Sequence, residues 1–340
     1  MNLNFASDNT GPVAAPVMAA IQAANTGAAM PYGADPWMPQ VRDRLRDLFD
    51  WPEAEVLLVT TGTAANAIAL AALVQPWQTI FAHRTAHIEA DECGAPEFFT
   101  AGAKLTLLDG PDGQITPAAF EAALSRLGGQ DVHSVQPGAL SLTNVTETGS
   151  VYSLETLGTL TDMARAAGIP THLDGARFAN ACAALDCSAA AMVRGFDAVS
   201  FGGTKNGCMG VEAIVIRNPA KAWELALRRK RAGHLWSKNR FLSAQMLAYL
   251  TDDLWRANAN AANAAGQRLR SGLAASGAEV TGAPAANMVF ARLSKDVIAR
   301  AQKSSQFYTM DTADHPLCRF VCDFTKTADE VDALLDLIAG

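Results

Sequence analysis

Between residues 55 and 217 the chain repeats one unit: a short apolar run, a turn, and a stretch with helical spacing. The runs lie at 55–60, 80–83, 104–108, 138–144, 169–173, 197–201 and 210–217. Runs this short, rich in Val, Leu and Ile and lacking a polar face, predict strands buried on both sides. Helical patterns fall between them, as in AANAIALAALV after Gly62, at 117–127, and at 153–167 with Ser153 as N-cap. The alternation predicts an α/β fold with a mostly parallel sheet covered by helices on both faces.

The flanks read differently. An Ala-rich helix is expected at 12–25, a Pro/Gly loop at 30–38 and an amphipathic helix at 41–49. Beyond about residue 220 come long helical stretches at 222–231 and 242–271. Short strands follow near Val280 and at 288–292 and 318–324, then a closing amphipathic helix at 327–338. This predicts three parts: an N-terminal segment (1–30), a large domain (31–225) and a smaller C-terminal α+β domain (226–340).

Composition narrows the function class. The chain has 340 residues, 18% charged, with a net charge of −7. A mildly acidic protein is a poor match for nucleic acid or an anionic membrane. The one basic run, Arg228-Arg229-Lys230-Arg231, reads as a solvated helix face or a patch for an anion or a partner subunit. Six cysteines without a C-x-x-C pair read as free thiols of a reducing compartment. The N-terminus lacks the basic and apolar regions of a signal peptide. The longest uncharged stretch, 57–82, is interrupted by Gly62, Asn66 and Pro76. A soluble cytoplasmic protein is expected, with no metal and no membrane span.

Parallel sheets place ligands beyond the carboxyl ends of their strands. Three such ends stand out. Thr61-Gly62-Thr63 opens a helix, whose free N–H groups suit a phosphate; an ordinary strand-to-helix turn has the same look. HLDGAR, 172–177, ends an apolar run with Asp174 and sets Arg177 three residues on. That pair reads as a local salt bridge, or as an anion beneath a protonated heterocyclic nitrogen. SFGGTKNG, 200–207, presents Lys205 in a glycine turn one unit later. A lysine brought among apolar groups and cations falls below its ordinary pKa of about 10.4, and its neutral amine forms a Schiff base. A phosphate cup, an acid for a pyridinium nitrogen and a lysine for an aldehyde are the parts of a pyridoxal phosphate site.

With those residues in view, the sequence resembles the L-threonine aldolases of the fold type I pyridoxal phosphate enzymes, aspartate aminotransferase-like in fold and part of the β-eliminating lyase group. The resemblance covers nearly the whole chain. It rests on FASDNTGPVAAPVM (5–18), YGADP (32–36), TGTAAN (61–66), HIEADECGAPEF (87–98), TNVTETGSVY (143–152), HLDGARFANA (172–181) and SFGGTKNG (200–207). It implies pyridoxal 5'-phosphate held as an internal aldimine on Lys205, its nitrogen kept protonated by Asp174 and its phosphate cradled by Gly62 and Thr63. Arg177 is implied near the ring oxygen or the substrate carboxylate, which Ser7 and Arg319 also grip. His87 is implied to stack on the ring and handle the proton of the substrate hydroxyl. His133 matches the hydroxyl-binding region, and Glu89 and Asp91 read as structural. Tyr32 sits in a loop that approaches a neighbouring subunit, in a homodimer or homotetramer with sites at the dimer interface.

The segment AGHLWSKNRF, 232–241, departs from the G-G-x-M-R-Q form common in that family and is similar to a bacterial subgroup with low selectivity at the β-carbon. Arg231, Lys238 and Arg240 are the candidates to replace the missing arginine. The implied reaction is cleavage of L-threonine, L-allo-threonine or related β-hydroxy-α-amino acids such as phenylserine to glycine and an aldehyde. A pyridoxal phosphate lyase releasing pyruvate and ammonia is the alternative.

Overall fold

A computed structural model describes residues 3–127, 131–282 and 286–340. In chain order the strands are β1 (Leu3–Asn4), β2 (Glu55–Val59), β3 (Gln78–His83), β4 (Lys104–Leu108), β5 (Gln136–Thr143), β6 (Thr171–Gly175), β7 (Ala198–Gly202), β8 (Glu212–Ile216), β9 (Glu279–Thr281), β10 (Met288–Arg292), β11 (Ser305–Gln306), β12 (Tyr308–Thr309) and β13 (Leu317–Val321). Seven of them form one sheet in the order β2-β8-β7-β6-β5-β3-β4. Every neighbouring pair is parallel except those made by β8, which runs antiparallel between β2 and β7. The expected α/β class with a mostly parallel sheet is what forms.

From β3 the chain moves outward to β4, and from β5 it moves the opposite way to β6 and β7. The loops leaving β3 and β5 therefore part company, which opens a crevice at the carboxyl ends of the strands. Helix Gly62–Leu73 lies over one face. Its sequence, GTAANAIALAAL, is buried on nearly every side, and its alanines let it sit close to Leu57, Val59 and Ile214. On the other face Phe49, Phe178 and Phe201 stack with centroids 5.3 to 5.8 Å apart, joined by Tyr249 and Trp255.

The C-terminal part carries the antiparallel sheet β12-β13-β10-β9. Helix Ala328–Ala339, started by a Thr327/Glu330 capping box, closes its second core. The expected boundary at residue 226 falls inside helix Ala222–Arg231, and helix Arg240–Leu250 still packs Leu242, Met246 and Tyr249 into the large core. The N-terminal segment also crosses over, with β1 pairing alongside β11. The helical stretch expected at 242–271 is broken at Thr251–Asp253, where Asp252 and Asp253 take φ of 51° and 53°. Aspartate tolerates that left-handed conformation better than most residues, so no glycine or proline marks the break. Among the described residues no helix is long and apolar enough to cross a membrane.

Candidate active site

Three strand ends meet at one cavity of about 300 Å³. β2 leads through Thr60 to Thr61, the N-cap of helix Gly62–Leu73, whose hydroxyl accepts from the Ala64 N–H at 3.2 Å. The N–H groups of Gly62 and Thr63 precede the first intrahelical bond and find no acceptor among the described residues. β6 delivers Asp174, 1% exposed. Its Oδ1 accepts from the Ala176 N–H at 3.0 Å, and its Oδ2 accepts from the Asn66 amide at 2.9 Å. β7 leads through Gly203 into the turn Thr204–Asn206, which presents Lys205 to the cavity.

The glycines before that lysine have a packing reason. A Cβ on Gly202 would stand 2.5 Å from the Ala176 carbonyl, and one on Gly203 would stand 2.7 Å from that of Val211. Glu212, buried on β8, accepts from the Gly203 N–H at 2.8 Å and holds the turn from below. Burial pushes its carboxyl up to about 7.

The local Asp174–Arg177 bridge that the spacing allows does not form. Arg177 reaches instead to Asp8, near the start of the chain, in a bidentate pair of 2.7 and 2.9 Å, with both side chains buried. Burial alone would raise the Asp8 carboxyl, but Arg177, Lys205 and the donated hydrogen bonds outweigh it, and its pKa falls. Lys205 makes no hydrogen bond or ion pair with the described residues. The Arg177 cation, then burial, lower its pKa against the pull of Asp8, Glu147 and Asp174. The amine is thereby moved toward its neutral, nucleophilic form.

Across the cavity, the loop after β3 carries His87. Its Nδ1 lies 2.8 Å from Glu92 Oε1. Glu92 is buried, and the same Oε1 accepts from the Asn66 amide at 2.8 Å. His87, Glu92, Asn66 and Asp174 thus form one hydrogen-bonded chain. The bond to Glu92 raises the pKa of His87, and burial raises that of Glu92. Glu147, on the loop after β5, lines the facing wall and has no partner among the described residues.

Of the residues expected at the site, Gly62, Thr63, His87, Asp174 and Lys205 line this cavity. Ser7 and Arg319 share a corner beside it. Arg319 donates to the carbonyl of Ala6, adjacent to Ser7, at 3.3 Å, while the lining itself reaches only Asn9. Tyr32 is exposed, with Lys230 Nζ 5.5 Å from its ring centroid. Arg231 and Lys238 are exposed, and Arg240 donates to Gly27 O at 2.9 Å, so none of the three enters this chain's own cavity. The residue of that segment that comes near is His234, with Nδ1 3.4 Å from the Thr60 hydroxyl.

His133 is a correction. It lies on an exposed turn before β5, whose opposite end, Thr143, pairs with Asp174. At about 3.3 Å per residue that strand separates His133 from the cavity by roughly 20 Å. Glu92, Asn66, Asp8, Glu147 and Glu212 are site residues that motif reading missed. Asn66 alone left a signal: a lone amide inside AANAIALAAL has to be satisfied by something.

The residues present fit pyridoxal phosphate. A partnerless lysine, a buried carboxylate with lone pairs to spare and a free helix N-terminus stand around one cavity. A larger hollow between Phe98, Phe99 and Arg228 offers no such set.

The comparisons agree with this geometry. Residues 4–296 match the model of the beta-eliminating lyases. The low specificity L-threonine aldolase of Pseudomonas sp. (strain NCIMB 10558) is 40% identical over 94% of this chain and 92% of that protein. The threonine aldolase structure from Leishmania major superimposes with a TM-score of 0.94 at 26% identity, covering 98% of both chains. A serine palmitoyltransferase from S. paucimobilis with a bound PLP–myriocin aldimine has the same fold, with a TM-score of 0.71 at 15% identity over 99% of this chain and 86% of that one. With a cavity built for this cofactor and a family match that spans it, the chain belongs to the beta-eliminating lyases, in their threonine aldolase branch.

Proposed function

We propose that the protein is a pyridoxal phosphate-dependent aldehyde-lyase. It cleaves L-threonine, L-allo-threonine and related β-hydroxy-α-amino acids, phenylserine among them, to glycine and an aldehyde. The observation that carries this reading is the convergence of Lys205, Asp174 and the open helix N-terminus on one cavity, with His87 on its wall.

Lys205 would hold the cofactor covalently, Asp174 would serve its ring nitrogen, and the Gly62 and Thr63 amides would take its phosphate. Bound there, the cofactor supplies the sink for the electrons freed when Cα–Cβ breaks. The protein does the rest. Ser7 and Arg319 grip the substrate carboxylate, for which a planar guanidinium is suited. Arg177, fixed by Asp8, keeps a positive field beside Lys205 without being free to swing. His87 takes the proton from the β-hydroxyl, and the raised pKa of its ring places the acid limb of the reaction above the ordinary histidine value of 6.5. A homodimer or homotetramer, with Tyr32 on the side of a neighbouring site, fits the exposure of that ring. The six unpaired cysteines support a cytoplasmic location.

Purified protein with the cofactor, given the three substrates in parallel, is expected to release aldehyde and glycine in equal amounts. Pyruvate and ammonia without aldehyde would overturn the reading. Light scattering on the eluting protein checks the assembly, and a monomer would remove that part of the proposal.

A further inference from the structure

We propose, resting on the aldolase reading, that Glu92 is the positioning residue for His87: it fixes which ring nitrogen carries the proton, and Asn66 braces it against Asp174. The chain of contacts is short and buried. Glu92 Oε1 lies 2.8 Å from His87 Nδ1 and accepts from Asn66 Nδ2 at 2.8 Å, and the same Nδ2 donates to Asp174 Oδ2 at 2.9 Å. One amide thus gives a hydrogen to each of two carboxylates and holds them apart at a fixed spacing.

The consequence is a choice of tautomer. With Oε1 accepting from Nδ1–H, the neutral ring has its lone pair on Nε2, which has no partner among the described residues and belongs to a ring that lines the cavity. A carboxylate on the far nitrogen is a general way to orient and activate an imidazole. As the Cα–Cβ bond breaks, the hydroxyl proton passes to Nε2 and the carbonyl of the aldehyde forms. Over the turnover one proton leaves the hydroxyl and one arrives at the α-carbon of glycine, so the pair ends as it began.

Glu92 Oε2 and Asn66 Oδ1 are buried without a partner among the described residues. A buried carboxylate with one bare oxygen is costly, and the two hydrogen bonds that Oε1 accepts, from His87 and Asn66, offset part of that cost. The charged groups facing His87 are Glu92 on its own loop, Asp174 at the end of β6 and Glu147 on the loop after β5. All three are acids that favour the cation, and only burial opposes them.

Histidine labelled with nitrogen-15 reads the pair directly in the holoenzyme, with His87→Asn identifying the resonances. In the wild-type protein the ring is expected to titrate above 6.5 and to carry its proton on Nδ1 when neutral. Glu92→Gln is expected to lower the midpoint by about one pH unit and to mix the two tautomers. The acid limb of kcat/KM moves down with it, while Glu92→Asp retains the wild-type direction. A neutral ring protonated on Nε2 in the wild type, or an unchanged midpoint and tautomer in Glu92→Gln, overturns the proposal. If Glu92→Gln does not fold, the wild-type tautomer decides alone. Absence of aldehyde release would sink the aldolase reading without touching the titration, so the two fail separately.

Discussion

The floor of the cavity and its walls are built on opposite rules. On the floor the ring of His172, the Arg177 guanidinium and the Gly203 N–H are each answered by a partner. His172, fully buried on β6 two residues before Asp174, is bracketed by Ser141 and Ser200 at 3.0 Å each, and burial lowers its pKa to about 4. Arg177 is clamped by Asp8, and Gly203 by Glu212. On the walls the groups are left open: Lys205 Nζ, the Glu147 carboxylate and His87 Nε2 have no partner among the described residues. The same side chain is held neutral below and pushed toward its cation above, so environment rather than residue type marks where a ligand belongs. Saturated polar groups hold shape, and unsaturated ones await chemistry.

Removing an open group should cost function and little stability. Lys205→Ala is expected to abolish the visible absorbance of bound cofactor and to lower aldehyde release by roughly three orders of magnitude or more. Its thermal midpoint should stay close to that of the cofactor-free wild type. Full activity in this variant would erase the distinction between floor and wall.

Breaking a saturated pair should do the reverse. Asp8→Asn leaves the buried Arg177 guanidinium without its counter-charge, and uncompensated buried charges of this kind cost about 3–5 kcal/mol. Denaturant unfolding measures that loss. A loss under about 1 kcal/mol would mean that water or another acid replaces Asp8. The variant also removes an acid that raises the Lys205 pKa, so the amine should titrate lower still.

Glu212 sharpens the comparison through pH. Its folded pKa, about 7, lies above the ordinary glutamate value of 4.5. Between those values the folded state holds a proton that the unfolded state has released, so stability falls as pH rises through that window. The whole effect is at most roughly 3 kcal/mol. Glu212→Gln keeps an acceptor for the Gly203 N–H and removes the titration. Thermal scans from pH 4.5 to 8 should therefore decline less in the variant, and parallel curves would show that Glu212 does not titrate there.

How much of this was readable in the sequence follows from the same division. Asp174 and Lys205 stood out because each ends an apolar strand, where a charge breaks the pattern, and because one strand–helix–strand unit separates them. The seven strands of the sheet were legible for the same reason. Asp8 was not, since its partner lies across the fold, and neither was Glu92, whose brace comes from Asn66, 26 positions back. Arg177 meets Asp8 over 169 positions, and Asn66 meets Asp174 over 108. The spacing of Arg177 pointed to Asp174 because only the near partner can be seen along a chain. The break at Thr251–Asp253 was hidden too, because the left-handed turn there is made by aspartates without a glycine.

His133 tests the smallest and most pointed difference. It was matched to the hydroxyl-binding region through its neighbourhood in HSVQPGALSLTN, yet a motif spread along a parallel strand has two ends, and only the carboxyl end reaches the site. His133 sits at the amino end, exposed, its N–H donated to Asp131 at 3.0 Å. The wall it was expected to occupy is formed by Glu147 instead. His133→Ala should therefore leave kcat, KM and the pH profile within about twofold of wild type, a surface change of small effect. A loss of tenfold or more in kcat with normal stability would require another copy of the chain to bring its His133 into this cavity, and would move the boundary between floor and wall onto the subunit interface.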